Sequence, residues 1–183
     1  MVLIIDAQVA GISGDMILSS LVSLGADKSR IIEGVYTAES FLDNSKITNI
    51  DFVSVQKNGK NATQLILEVD ENVHERKATD VKNCIINAST KIGLPETALN
   101  FVTNTIDTLI SAESKVHGEP EESVHFHEAA SIDTVIDILG TAIALDDLNL
   151  FNDEIICSPV AIGGGSITFS HGKTSNPAYA ILE

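Results

Sequence analysis

Residues 47–69 read ITNIDFVSVQKNGKNATQLILEV, and this stretch decides how the chain is built. Ile47 to Gln56 and Thr63 to Val69 both alternate apolar and polar residues, the period-two pattern of strands with one buried face. Between them, Asn58-Gly59 supplies the residue pair that a tight hairpin turn favours, because both central positions need positive φ. The middle of the chain therefore reads as antiparallel.

Before the hairpin, Val2–Ile5 is a short apolar run suited to a buried strand. A small-residue loop follows Asp6, and then Met16, Ile17, Leu21 and Leu24 recur at helical spacing up to Gly25. A second helix is predicted from Asp27, its N-cap, to about Tyr36. Beyond the hairpin three helices are predicted: Thr79 to Lys91, Pro95 to His117-Gly118, and about His127 to Leu148. Glu154 to Cys157 and Ile167 to Phe169 read as strands, and Ala178 to Glu183 as the start of a helix. This order predicts a single α/β (α+β) domain over residues 1–183, a mixed β-sheet containing a central antiparallel hairpin with helices packed on it.

The 183 residues carry 26 acidic against 11 basic side chains, a formal net charge of −15. That balance argues against nucleic-acid or anionic-membrane binding, both of which need clustered Lys and Arg. A 44% hydrophobic content argues against disorder. Cys84 and Cys157 lie far apart, form no C-x-x-C pair, and are both read as small core residues. No signal peptide or membrane span is recognisable, so a cytoplasmic location is expected, with homo-oligomerisation left open.

The chemistry-bearing residues concentrate between His117 and Asp137, where three of five histidines fall. In an extended segment His125 and His127 share one side while Phe126 points into apolar packing. With Glu128 beside them they suit a divalent transition metal bound by nitrogen and oxygen donors; the alternative is a solvated loop at a helix N-terminus. Asp133 and Asp137 stand four apart on one helix face whose next turns carry Gly140, Thr141 and Ala144. Buried carboxylates there would need a cation, a donor set or a raised pKa; equally, Asp133 fits an ordinary first-turn acid. Asp6 at a strand end and Ser13-Gly14-Asp15 at a helix start outline an anion site of backbone N–H groups, without a Walker pattern. Gly163-Gly164-Gly165 would let backbone approach a ligand, with His171 six residues on, closing over the paired histidines. His74 sits among charges and reads as solvated.

Taken in order, Gly11-Ile12-Ser13-Gly14-Asp15-Met16, Val116-His117-Gly118, Val124-His125-Phe126-His127-Glu128, Asp133 to Ile138, Gly163-Gly164-Gly165 and His171-Gly172 resemble the LarC family. These are the nickel insertion proteins of nickel-pincer nucleotide biosynthesis, and the resemblance is to the family's N-terminal half. It implies insertion of Ni²⁺ into pyridinium-3,5-bisthiocarboxylic acid mononucleotide by cyclometallation, giving the cofactor of lactate racemase-type enzymes. It also implies use of CTP with Mn²⁺ or Mg²⁺ in a C-terminal half, which this chain lacks and which would be its partner. The chain departs from the family after His171, where Ser175-Asn176-Pro177-Ala178-Tyr179 replaces a V-P-A-P stretch. On this reading His125, His127 and Glu128 lead as metal ligands, with His117 and His171 next. Asp6, Asp15, Asp133 and Asp137 would tune the site or hold a second ion, and Ser13-Gly14 with Gly163 to Gly165 would face the substrate phosphate. The alternatives are a non-catalytic metal-binding or scaffold subunit, and a metal-dependent phosphohydrolase built on Asp6 and the Ser13-Gly14 loop.

Overall fold

The computed structural model describes residues 2–8, 11–127, 130–161, 165–169 and 172–175. The elements are β1 (Val2–Ile5), α1 (Gly14–Ser23), α2 (Lys28–Glu39), β2 (Ser45–Lys57), β3 (Lys60–Glu71), β4 (Arg76–Lys77), α3 (Ala78–Lys91), α4 (Glu96–His117), β5 (His125–Phe126), α5 (Ile132–Asp147), β6 (Glu154–Cys157), β7 (Ser166–Phe169) and β8 (Gly172–Ser175). The expected α/β class with an antiparallel hairpin is present. Among the described residues the strands pair two by two: β1 with β6 in parallel, and β2–β3, β4–β5 and β7–β8 antiparallel.

The hairpin follows its sequence signal. Asn58 (φ 52°) and Gly59 (φ 75°) take the positive-φ positions, and Lys57 pairs with Lys60 across the turn. Ile47 and Ile50 are three apart, which would put them on opposite faces of a regular strand. An irregularity between Ile47 and Asn49 absorbs the extra residue, so Ile47, Ile50 and Phe52 are all buried. The Thr48 hydroxyl donates to the Glu68 carbonyl at this bulge (3.0 Å).

Helix α5 is the hub. Eleven of its residues are buried, and it packs against α1, α2, α3 and α4, which explains an apolar content that wraps the whole helix. It begins at Ile132, later than the expected start near His127. Ser131 is its N-cap, accepting from the Asp133 N–H, and the Ile132 N–H is taken by Glu71, so the first turn is fixed at that position. At the α1–α5 crossing, small residues let the backbones meet. A Cβ on Gly140 would lie 2.9 Å from Leu18 Cδ2, and one on Gly14 would lie 2.0 Å from Asp137 Cγ.

The β1–β6 pair is incompletely covered: Val2, Ile4, Ile155 and Ile156 are exposed although parallel strands are normally buried on both faces. This corrects the reading of Cys157 as a core residue, since it ends β6 on that open pair and is exposed. Cys84 is buried as expected; its thiol donates to the Ala38 carbonyl, and burial pushes it up to about 12, so it is inert at neutral pH. The segment Ala178 to Glu183, expected to be helical, lies outside the described residues.

Candidate functional site

The N-terminal end of α5 and the strand leading to it gather most of the residues singled out in the sequence. Val124 and Phe126 are buried while His125 and His127 are half-exposed, so the histidines do alternate off the packed face. His125 Nδ1 lies 2.9 Å from the Ser123 carbonyl. A carbonyl only accepts, so Nδ1 carries the proton, and in the neutral ring Nε2 is left with the lone pair a metal would take. His117, the last residue of α4, stands 5.9 Å from His127 between ring centroids, and its Nε2 is 3.2 Å from Glu113 Oε2. Two of the proposed ligands, Glu128 and His171, lie outside the described residues. Among the described residues no group of three or more His, Cys, Asp or Glu side chains is gathered as a metal site.

The carboxylates form a second arrangement, where α1 begins against α5. Asp15 and Asp133 are close enough to Asp137 for their charges to act on it. Asp137 Oδ1 is buried with no hydrogen-bond partner. Burial pushes its carboxyl up to about 7, reinforced by the charges of Asp133 and then Asp15. The Asp133 carboxyl is also raised, by desolvation first and then by Asp15 and Glu71. Ser13, the N-cap of α1, makes no side-chain cap bond; its hydroxyl donates to Asp15 instead. Backbone N–H groups in the first turn of α1 thus have no side-chain cap, the condition an anion exploits. Asp137 also lines a groove of about 410 Å³ with Thr105, Thr108, Leu109, Thr134 and Ile138.

Asp6 is placed elsewhere. Its Oδ1 accepts from the Gln8 N–H (3.1 Å) and the Ser158 hydroxyl (3.0 Å), which ties the end of β1 to the end of β6. It borders a separate, mainly apolar cleft of about 410 Å³ that includes Gly11, Ile12 and Met16. Gly165 is in the left-handed region (φ 125°) with open space around it, while Gly163 and Gly164 lie outside the described residues.

Sequence reading passed over Glu71, Arg76 and Ser131. Glu71 Oε1 accepts from the Ser45 hydroxyl, from Arg76 Nη2 (3.1 Å) and from the Ile132 N–H (3.2 Å), while Oε2 accepts from the Ser131 hydroxyl (2.7 Å). Burial pulls the Glu71 carboxyl upward, but these bonds outweigh it and hold it below the usual carboxylate range. No local spacing announces such a group; its partners come from three separate segments.

The model of the family described as "Nickel insertion protein" matches residues 3–183, and the chain belongs to that family. It is 41% identical over 174 residues to the pyridinium-3,5-bisthiocarboxylic acid mononucleotide nickel insertion protein of Staphylococcus saprophyticus, covering 95% of this chain and 42% of that protein. A protein of the same name from Staphylococcus epidermidis is 36% identical over 174 residues, covering 95% of this chain and 41% of that protein. The chain therefore spans well under half the length of these relatives. No solved structure matches it.

Proposed function

We propose that this chain is the N-terminal part of an enzyme that inserts Ni²⁺ into pyridinium-3,5-bisthiocarboxylic acid mononucleotide, making the cofactor of lactate racemase-type enzymes. The observation that carries this reading is the family match over residues 3–183, joined to relatives named for that reaction. In this reading His125, His127 and Glu128 hold the incoming nickel, with His117 and His171 as further donors. Borderline nitrogen and oxygen ligands suit a metal that must be released again. In the cyclometallation a C–H bond of the pyridinium ring is replaced by a C–Ni bond and the proton leaves. The acidic face of Asp15, Asp133 and Asp137 attracts cations, and the first turn of α1 at Ser13-Gly14, with Gly163 to Gly165, receives the substrate phosphate through backbone N–H groups. A C-terminal half using CTP with Mn²⁺ or Mg²⁺ completes the enzyme in the cytoplasm; among the described residues no helix is long and apolar enough to cross a membrane.

Calorimetry with Ni²⁺ tests this directly. Wild type is expected to bind, and the His125→Ala/His127→Ala variant to lose affinity by at least tenfold. Equal affinity in the two proteins would remove these histidines as ligands. Reconstitution with the missing half and CTP should then yield nickel-loaded cofactor; metal binding without product would instead indicate a non-catalytic metal-binding subunit.

A further inference from the structure

The stretch that leads into α5 carries the proposed nickel donors His125 and His127. It is fastened from both sides. On one side β4 pairs with β5, Lys77 opposite His125 and Arg76 opposite Phe126, and the Ala78 N–H donates to the Val124 carbonyl (3.0 Å). On the other side stands the Glu71–Arg76 pair, whose side chains are only 13% and 9% exposed.

Arg76 uses its guanidinium as a three-way fork. Nε donates to the Ala130 carbonyl (2.8 Å), Nη1 to the Asp43 carbonyl (2.6 Å), and Nη2 to both Ser45 Oγ (2.5 Å) and Glu71 (3.1 Å). Glu71 grips the other end of the same segment, through the Ser131 hydroxyl and the Ile132 N–H. Ser131 Oγ in turn accepts from the Asp133 N–H (3.2 Å). His125 and Phe126 are thus held by a strand pair, and Ala130 to Ile132 by the Glu71–Arg76 ion pair.

Two physical points separate this from ordinary fold stabilisation. A buried ion pair is costly to desolvate, and apolar packing of equal volume commonly does as well for stability alone. Moreover, three of their bonds converge on one short stretch, Arg76 on the Ala130 carbonyl and Glu71 on the Ser131 hydroxyl and the Ile132 N–H, while the others tie that stretch to Asp43 and Ser45; supporting groups fix the orientation of metal-holding side chains by such bonds. We infer that Glu71 and Arg76 are positioning residues, which hold the His125–Asp133 segment in the geometry that receives the nickel ion. This rests on the nickel reading of that segment.

The test uses Glu71→Gln, Arg76→Lys and Ser131→Ala in the full chain, beside wild type and His125→Ala/His127→Ala. Glu71→Gln removes the charge at constant volume, and Arg76→Lys keeps the charge but loses the planar fork. Three readouts are taken: thermal unfolding, Ni²⁺ affinity by calorimetry, and the ligand-field absorption band of the bound ion. The expected result is a cooperative melt, affinity weakened roughly 10- to 100-fold in Glu71→Gln and Arg76→Lys, and a shifted band. A purely structural role would lower the melting temperature and leave the band of the bound ion unmoved. If either replacement fails to fold, Ser131→Ala, which removes one link and the cap, carries the same expectation at smaller amplitude. Folded variants with wild-type affinity and an unshifted band, while the histidine variant loses nickel, overturn this inference alone. Undiminished binding in the histidine variant overturns the nickel reading and the inference with it.

Discussion

Two carboxylates, one reaching α5 and one borne by it, are treated by the fold in opposite ways. Glu71 arrives at the end of β3 and is met by four donors: two hydroxyls, a guanidinium and the first N–H of the helix. Asp137 lies on α5 itself, pressed against the start of α1, with Oδ1 buried and unpartnered and two other acids nearby. Both lose water, so burial acts on them in the same direction, yet one ends below the usual carboxylate range and the other near neutrality. Burial leads at Asp137, with the neighbouring acids adding to it, whereas at Glu71 the donors outweigh burial. The protein builds donors where it fastens the stretch before α5, and among the described residues it gives Asp137 Oδ1 none. A buried carboxylate oxygen without a donor is a liability, which is why Asp137 belongs with the candidate site.

The largest expected effect comes from dismantling the satisfied side. Glu71→Ala strips the acceptor from four donors and leaves Arg76 buried without its counter-charge, which costs about 3–5 kcal/mol of stability, read by urea unfolding. A loss under about 1 kcal/mol would mean that Arg76 finds compensation elsewhere, and the contrast drawn between the two carboxylates would fail. Next in size is Gly14→Ala on the other side. The new Cβ would sit 2.0 Å from both Cγ and Oδ2 of Asp137, so the helices must separate. A cost of about 1–3 kcal/mol is expected, and Asp137→Ala in the same chain should recover only part of it, because the two positions share one contact but the Cβ of residue 137 itself lies 2.5 Å from the new atom. Simple additivity of the two losses would show that α1 and α5 do not meet there.

The difference between these two regions also marks what the sequence could disclose. The hairpin was legible because alternation and Asn58-Gly59 are local signals, and the five helices were legible from their apolar periodicity. His125, His127 and the acids were legible because unusual residue types cluster within a short span. The two-residue β4–β5 pair was not, since two residues hold no period. The start of α5 was misplaced because apolar spacing does not show the Ser131 cap and the Glu71 bond that fix its first turn. Cys157 was misplaced because the composition of β6 says nothing about whether its open face is covered. Glu71 and Arg76 stayed hidden for the same reason: Asp43, Ser45, Ala130 and Ser131 come to them only through the tertiary fold.

The smallest effect is also the most discriminating, because its sign is unusual. In metal-free buffer with a chelator, Asp137→Asn should make the protein more stable. The folded state holds the Asp137 proton up to about 7, whereas the unfolded chain releases it near the ordinary value of 3.8. Between those values the folded state binds more protons than the unfolded, so wild-type stability falls as pH rises and the penalty is complete above the folded value. The Asn variant lacks this penalty. Its advantage should be absent near pH 4 and grow to about 1 kcal/mol by pH 8, well short of the full linkage value because solvent screens a carboxyl that is only partly buried. Glu71 contributes the reverse slope: its carboxyl is held low, so the stability it lends is present above its ordinary value of 4.5 and lost as pH falls. On these two groups alone wild type should be most stable near the ordinary values of 3.8 and 4.5, where the Glu71 contribution is nearly complete and the Asp137 penalty has barely begun, and Asp137→Asn should flatten only the high-pH side. A gain that is equal at all pH values would show that Asp137 is solvated and charged in the fold. In that case this face would carry no burial penalty, and the contrast with Glu71 would reduce to a difference in hydrogen-bond count.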